Sequence, residues 1–264
     1  MNSFLRKFNA FLIRDLKIAL SYRFNLFIQI VWFIFLFSVI FFAFYDSSLS
    51  ATNSSYLIVF LNIAAVDFTF SSLGIFSKEV RQAQTTGTFE STLLTNTSFF
   101  TIIFSSYART FFRMILRSIF YLLICKYFFY QNLTFVNIAF VILTLIFNSI
   151  PFIALGLMSA SLIIVYKVGD VTNFLISVLS VFFSGIFFSL DSLPDAFKLF
   201  GELTPLNLCL ETMKVLINDN LDFSNLLPLL KVTTIEILLL FPIGILCIHF
   251  AFKSAKRSGS LSFY

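Results

Sequence analysis

Apolar residues occur along this chain in long blocks, and few polar residues separate them. Five windows are long and apolar enough to cross a bilayer core of ~30 Å as helices: 24–45, 56–77, 133–166, 171–190 and 232–252. A sixth window, 111–130, has adequate length but contains Arg113, Arg117 and Lys126. The pattern predicts an all-α polytopic membrane protein with six transmembrane helices. The 133–166 window is too long for one perpendicular span at about 1.5 Å per residue. It therefore tilts, kinks at Pro151 or extends into solvent. Before the first span, residues 1–23 form a basic interfacial helix. Phe4, Leu5, Phe8, Phe11, Leu12, Leu16 and Ala19 recur at helical spacing on one face, with Arg6, Lys7, Arg14 and Lys17 on the other. Asp15 falls within the apolar arc, and the plain alternative is a helix packed on its own protein.

Between the fifth and sixth spans, residues 191–222 stay apolar but become broken. Pro194 and Pro205 interrupt any continuous helix, because each lacks an N–H and clashes with the preceding turn. Asp191, Asp195, Glu202 and Glu211 are spread through the stretch. Two short helical pieces remain, about 194–203 and 207–216. A kinked, half-apolar segment between two spans predicts a re-entrant or interfacial helical hairpin; the alternative is an apolar loop.

Composition places the chain among membrane proteins independently of the windows. Hydrophobic residues make up 59% and charged residues 12%, and mean hydropathy is +0.95. A soluble domain cannot bury that much apolar surface. The 40 phenylalanines, with abundant Ile, Asn and Lys, suit AT-rich codons and hence a bacterial or organellar genome. The expected location is a bacterial plasma membrane or a plastid membrane, with no cleavable signal or transit peptide. Cys125, Cys209 and Cys247 share no short spacing, and His249 is the single histidine. No metal site, cofactor or catalytic residue is expected from them.

The net charge of +5 reflects topology rather than nucleic-acid binding. With the N-terminus on the cytoplasmic or stromal side, Arg6, Lys7, Arg14, Lys17, Arg23, Lys78, Arg81, Lys167, Lys253, Lys256 and Arg257 all lie inside. Arg109, Arg113 and Arg117 lie toward the inner end of the third span, and only Lys126, Lys198, Lys214 and Lys231 fall toward the outside. Both termini are therefore expected inside.

Two segments resemble one known family. Ser184, Gly185, Phe187, Leu190, Leu193 and Pro194, followed by Pro205, Asn207 and Glu211, resemble the end of the fifth span of ABC-2 type permeases. The resemblance implies two short helices, with Gly185, Asp191, Pro194, Pro205 and Glu211 in the segment, that dip from the outer face and cap the transport pathway. On the inner side, segment 78–98 contains Gly87, Thr88, Phe89 and Glu90, then Leu93 and Leu94. This is similar to the G-T-L-E-x-L-L pattern of the same family, with Asn96 where proline is frequent. The resemblance implies a coupling helix that docks into an ABC-type ATPase subunit. It also implies two copies of the permease, as a homodimer or a heterodimer with a related chain, and an amphipathic cargo: a lipid, a lipid-linked glycan or a drug. Read from the residues alone, Gly87 can break or cap a helix, Thr88 can cap the next, and Glu90 sits near a positive N-terminus. A solvated linker is the alternative. No G-x-x-x-x-G-K-[ST] loop occurs, so ATP hydrolysis is expected on a separate chain.

Asp67 lies near the middle of the second span, and Arg109, Arg113 and Arg117 stripe one face of the third. An intramembrane charge is costly and normally paired, so Asp67 and Arg117 are the expected pair. Two other readings stay open: Arg117 as a contact for an anionic substrate headgroup, and Asp67 as the proton site of a secondary carrier. A membrane-embedded enzyme would need clustered catalytic groups at one depth, and His249 has no Ser or Cys motif beside it. Small residues, Ser177, Ser180 and Ser184 in one span and Gly156 and Ala160 in another, permit close packing within the subunit or between subunits.

Overall fold

The computed structural model describes residues 53–85, 87, 99–128, 135–166, 171–186, 190, 194–218 and 223–258, with Ile13, Lys17, Phe24, Phe27, Ile28 and Val31 as isolated helical positions. The rest of the interfacial helix 1–23 and of the first span 24–45 lies outside the described residues. Among the described residues there are seven helices and no strand. These are α1 (Asn53–Thr85), α2 (Phe99–Phe128), α3 (Phe135–Tyr166), α4 (Val171–Phe182), α5 (Asp195–Glu202), α6 (Pro205–Asn218) and α7 (Phe223–Ser258). Three of them, over Ile58–Thr85, Asn137–Tyr166 and Ser224–Ala255, are long and apolar enough to cross a membrane.

Several boundaries differ from the sequence reading, each for a local reason. The helix of the second span does not stop with the apolar window at 77: α1 continues for eight more residues, Lys78 to Thr85, into the polar inner segment. Its 33 residues extend ~50 Å at 1.5 Å each, beyond the ~30 Å core. Glu, Arg, Gln and Ala are good helix formers, so the polar run Glu79–Arg81–Gln82–Ala83 carries the helix on past the apolar block. Its end is set by Gly87, in the left-handed region at φ 65°, whose N–H donates to the Gln84 carbonyl at 3.1 Å.

The window 111–130 is the second half of a longer helix, α2, which begins at Phe99. Pro151 does not interrupt α3, which runs unbroken through it for 32 residues. The 171–190 window is not one helix. Continuous helix stops at Phe182, because Ser184 turns its hydroxyl back to the Val181 carbonyl (2.7 Å) and Gly185 follows at φ 74°. Twelve residues rise only ~18 Å, short of the bilayer core. The last helix likewise exceeds its window of 232–252, running 36 residues with Pro228 and Pro242 inside it.

α1 and α3 form the centre, and every other helix except α5 packs on one or both of them. They approach closely at Gly156: a β-carbon there would lie 2.5 Å from the Leu73 carbonyl oxygen. Gly244 of α7 is similarly tight on α3, 2.8 Å from the Ala154 oxygen. Small residues at these crossings let backbones approach, which is how helices associate when lipid removes the hydrophobic drive between them. Ala160 and Ser180 are also buried against neighbouring helices, so these small faces are used within the subunit.

α6 enters the bundle rather than lying over it. Leu206, Cys209, Leu210 and Met213 join Phe60, Ala64, Phe68, Leu145 and Phe152 in the larger core cluster. Pro205 occupies the first position of the helix, where its missing N–H costs nothing, and the Thr204 carbonyl accepts the Leu208 N–H at 3.1 Å. The apolar residues of α6 surround most of its circumference, which is the pattern of a buried helix.

Candidate functional site

An ion pair within the helical bundle joins α1 to α2. Arg117 Nη1 lies 3.0 Å from Asp67 Oδ1, and Arg117 Nη2 donates to Ser71 Oγ at 3.1 Å. Asp67 and Ser71 are four residues apart, so one face of α1 offers both acceptors to a single guanidinium. On α2, Met114, Arg117 and Tyr121 follow at helical spacing, and Met114 and Tyr121 are buried on either side of the arginine. Phe111 meets Phe68 edge-on at 6.2 Å and stacks on Tyr107 at 5.3 Å, forming an aromatic wall that begins about two turns before Arg117 on α2. The pair is not sealed. The Arg117 side chain is 47% exposed and that of Asp67 25%. Chemically the arrangement holds a fixed cation and anion in contact. The carboxylate is engaged, while part of the guanidinium faces outward beside exposed Phe112, Arg113, Leu116 and Phe120.

The inner segment is described only up to its hinge. Gly87 is exposed and has no heavy atom within 4 Å of where a β-carbon would stand, so its conformation, not crowding, favours glycine. Thr88, Phe89, Glu90, Leu93 and Leu94 lie outside the described residues.

In the hairpin, Pro194 caps the start of α5, its carbonyl accepting from the Phe197 and Lys198 N–H groups at 2.9 and 3.0 Å. Phe197 stacks on Phe183 at 6.2 Å, and a β-carbon at Gly201 would come within 2.6 Å of Leu190 and 3.2 Å of the Phe183 carbonyl. These contacts hold α5 over the turn that contains Gly185. Pro205 and Glu211 lie on α6, and Glu211 is half-buried. Asp191, Phe187 and Leu193 lie outside the described residues. The hairpin residues and the Asp67–Arg117 pair are not brought into one site.

Two buried polar links went unseen in the sequence. Asn173 of α4 donates its amide to Ser77 of α1. On α3, Asn148 Nδ2 donates to the Thr144 carbonyl at 2.9 Å, while its Oδ1 accepts from Thr233 of α7 at 3.4 Å. All four of the cross-linked residues, Ser77, Asn148, Asn173 and Thr233, are buried. Their signal was an amide inside an apolar window, a costly placement unless it bonds across to a neighbouring helix. Among the described residues no three His, Cys, Asp or Glu side chains are grouped as metal ligands would be.

Comparison with known proteins agrees with the two resembling segments. The sequence model of the ABC-2 type transporter membrane family matches residues 6–217. None of the curated proteins matches the chain.

Proposed function

Because the chain belongs to the ABC-2 type transporter family, we propose that it is the permease subunit of an ATP-driven exporter whose ATPase is a separate chain. The single observation that carries this reading is the family match over residues 6–217, which includes the inner segment and all but the last five residues of the 191–222 segment. The cargo is amphipathic: a lipid, a lipid-linked glycan or a drug. Two copies assemble, as a homodimer or with a related permease, and six spans, the fifth crossing as α4 together with the broken stretch that follows it to residue 190, place both termini on the cytoplasmic or stromal side. The membrane is a bacterial plasma membrane or a plastid membrane.

The geometry of α1 supports a route for coupling. Asp67 and Gly87 lie on or at the end of one helix, separated by 20 positions and so by ~30 Å. A push delivered beyond Gly87 travels along this helix to the Arg117 contact and to the α3 crossing at Gly156. Gly87, Thr88, Phe89, Glu90, Leu93 and Leu94 form the docking element, with the Phe89 ring filling a cleft and Glu90 fixing register. The Asp67–Arg117 pair is structural, holding α2 to α1. A proton-coupled carrier would need Asp67 to release its partner in each cycle, whereas the Arg117 guanidinium is held by both Asp67 and Ser71.

The test is copurification of the ATPase and substrate-stimulated ATP hydrolysis with Phe89→Ala and Glu90→Arg, beside a melting curve. Loss of an aromatic anchor typically costs ~2 kcal/mol, about thirtyfold in affinity. Lost copurification at an unchanged melting temperature is the expected result. Normal copurification and normal stimulation in both variants would reduce the segment to a linker.

A further inference from the structure

The C-terminal end of α7 carries a site that neither the coupling segment nor the hairpin uses. Phe250, Lys253, Ser254 and Arg257 line an open recess of about 590 Å³. Their spacing of three, four and seven residues puts them on one helix face. The opposite face, Ile248, Ala251 and Ala255, is buried against Phe76 and Val80 of α1 and Ala160, Ile163 and Ile164 of α3. These lining residues therefore lie on the side of α7 away from that packing.

The same stripe continues up the helix. Leu239, Ile243, Leu246 and Phe250 follow at the same helical spacing and are each strongly exposed. From Leu239 to Phe250 is a rise of ~16 Å, close to one leaflet of a ~30 Å hydrocarbon core. A leaflet-length apolar rail thus ends on two cations three and seven residues beyond its last ring. Along its most apolar window α7 is only 17% buried, against 56% for α1 and for α3, so the other helices of the subunit leave this rail uncovered.

We infer that this recess binds the headgroup of an anionic phospholipid, with one acyl chain lying along the Leu239–Phe250 rail. Lys253 and Arg257 supply charge complementarity for the phosphate; arginine does so with a planar fork, lysine as a point charge. The C-terminal end of a helix repels anions through its exposed carbonyls, so binding depends on those two side chains rather than on the backbone. A free phosphate would use the cations but gain nothing from the rail. The occupant is therefore a lipid, not a soluble phosphate.

The experiment is native mass spectrometry of the detergent-purified chain titrated with phosphatidylglycerol, with phosphatidylcholine and with inorganic phosphate. Wild type is expected to retain phosphatidylglycerol over phosphatidylcholine. Each basic residue at a membrane surface is worth about fivefold in affinity, so Lys253→Gln and Arg257→Gln should each lower retention about fivefold and the double change about thirtyfold. Lys253→Arg with Arg257→Lys keeps both charges and should restore retention. Lys231→Gln, an exposed lysine elsewhere on α7, should leave it unchanged. Equal retention of the two lipids, undiminished retention in the double variant, or displacement of the lipid by millimolar phosphate would each overturn the inference.

Discussion

Removing one side of the Asp67–Arg117 pair tests the structure most directly. The two partners are unequal: Asp67 is 25% exposed and Arg117 47%. Arg117→Gln strands the more buried partner and also removes the bond to Ser71. Asp67→Asn leaves the guanidinium half-exposed and still bonded to Ser71 at 3.1 Å. Breaking a fully buried pair costs about 3–5 kcal/mol, whereas exposed pairs are worth about 0–1 kcal/mol. The intermediate exposure here places Arg117→Gln at about 2–3 kcal/mol and Asp67→Asn at about 1 kcal/mol. At roughly 2–4 °C per kcal/mol for a chain of this size, the melting temperature should fall by about 4–12 °C and about 2–4 °C respectively. The double variant should melt near or above Arg117→Gln alone, because no charge is then left unpaired. The assay is thermal unfolding of the detergent-solubilised protein, read as a double-mutant cycle. Two results would refute the reasoning: strictly additive losses, or a larger loss for Asp67→Asn than for Arg117→Gln.

Three further outcomes follow from the packing and the topology. Gly156→Ala places a methyl 2.5 Å from the Leu73 carbonyl, a backbone atom that cannot swing aside, so it should cost about 1–3 kcal/mol and lower the melting temperature. Gly87→Ala meets no atom but must adopt φ 65°, so it should destabilise the end of α1 by about 1–2 kcal/mol, seen as faster proteolysis near residue 87 with little change in global melting. In a background lacking native cysteines, single cysteines at Asn53 and Asn220 should react with an impermeant reagent from outside while one at Thr86 does not. The reverse pattern would invert the topology. Cys247 is the native thiol to remove first among those described, since Cys209 is only 1% exposed.

Much of the architecture was legible because lipid imposes a simple rule. A spanning segment must satisfy its backbone internally and present apolar side chains, so windows of hydropathy become helices. That rule located the apolar cores of α1, α3 and α7, and it made Asp67 and Arg117 conspicuous as charges needing each other. Proline and glycine were equally readable: Pro194 and Pro205 do stand at the starts of two short helices, and Gly87 does end one. Boundaries were less legible, because hydropathy stops where the membrane stops while a helix stops where its hydrogen bonds do. α1 runs past Ser77 for that reason, and α4 stops early because a serine and a glycine break a stretch that remains apolar.

The sequence by itself determined the class, the membrane setting, the family and the short list of residues whose burial would be costly. Each of these follows from composition or from near neighbours along the chain. Tertiary structure alone decided which helix faces meet. α6, whose apolar residues run round its circumference, lies within the bundle, packed on α3, α7 and α1. Gly156 matters because the Leu73 carbonyl happens to face it. Asn173 is tolerated because Ser77, 96 residues earlier, accepts its proton. Such contacts join positions far apart in sequence, and their free energy depends on distances of a few tenths of an ångström between backbones. No pattern local to the chain encodes that spacing; it arises only when the helices have packed.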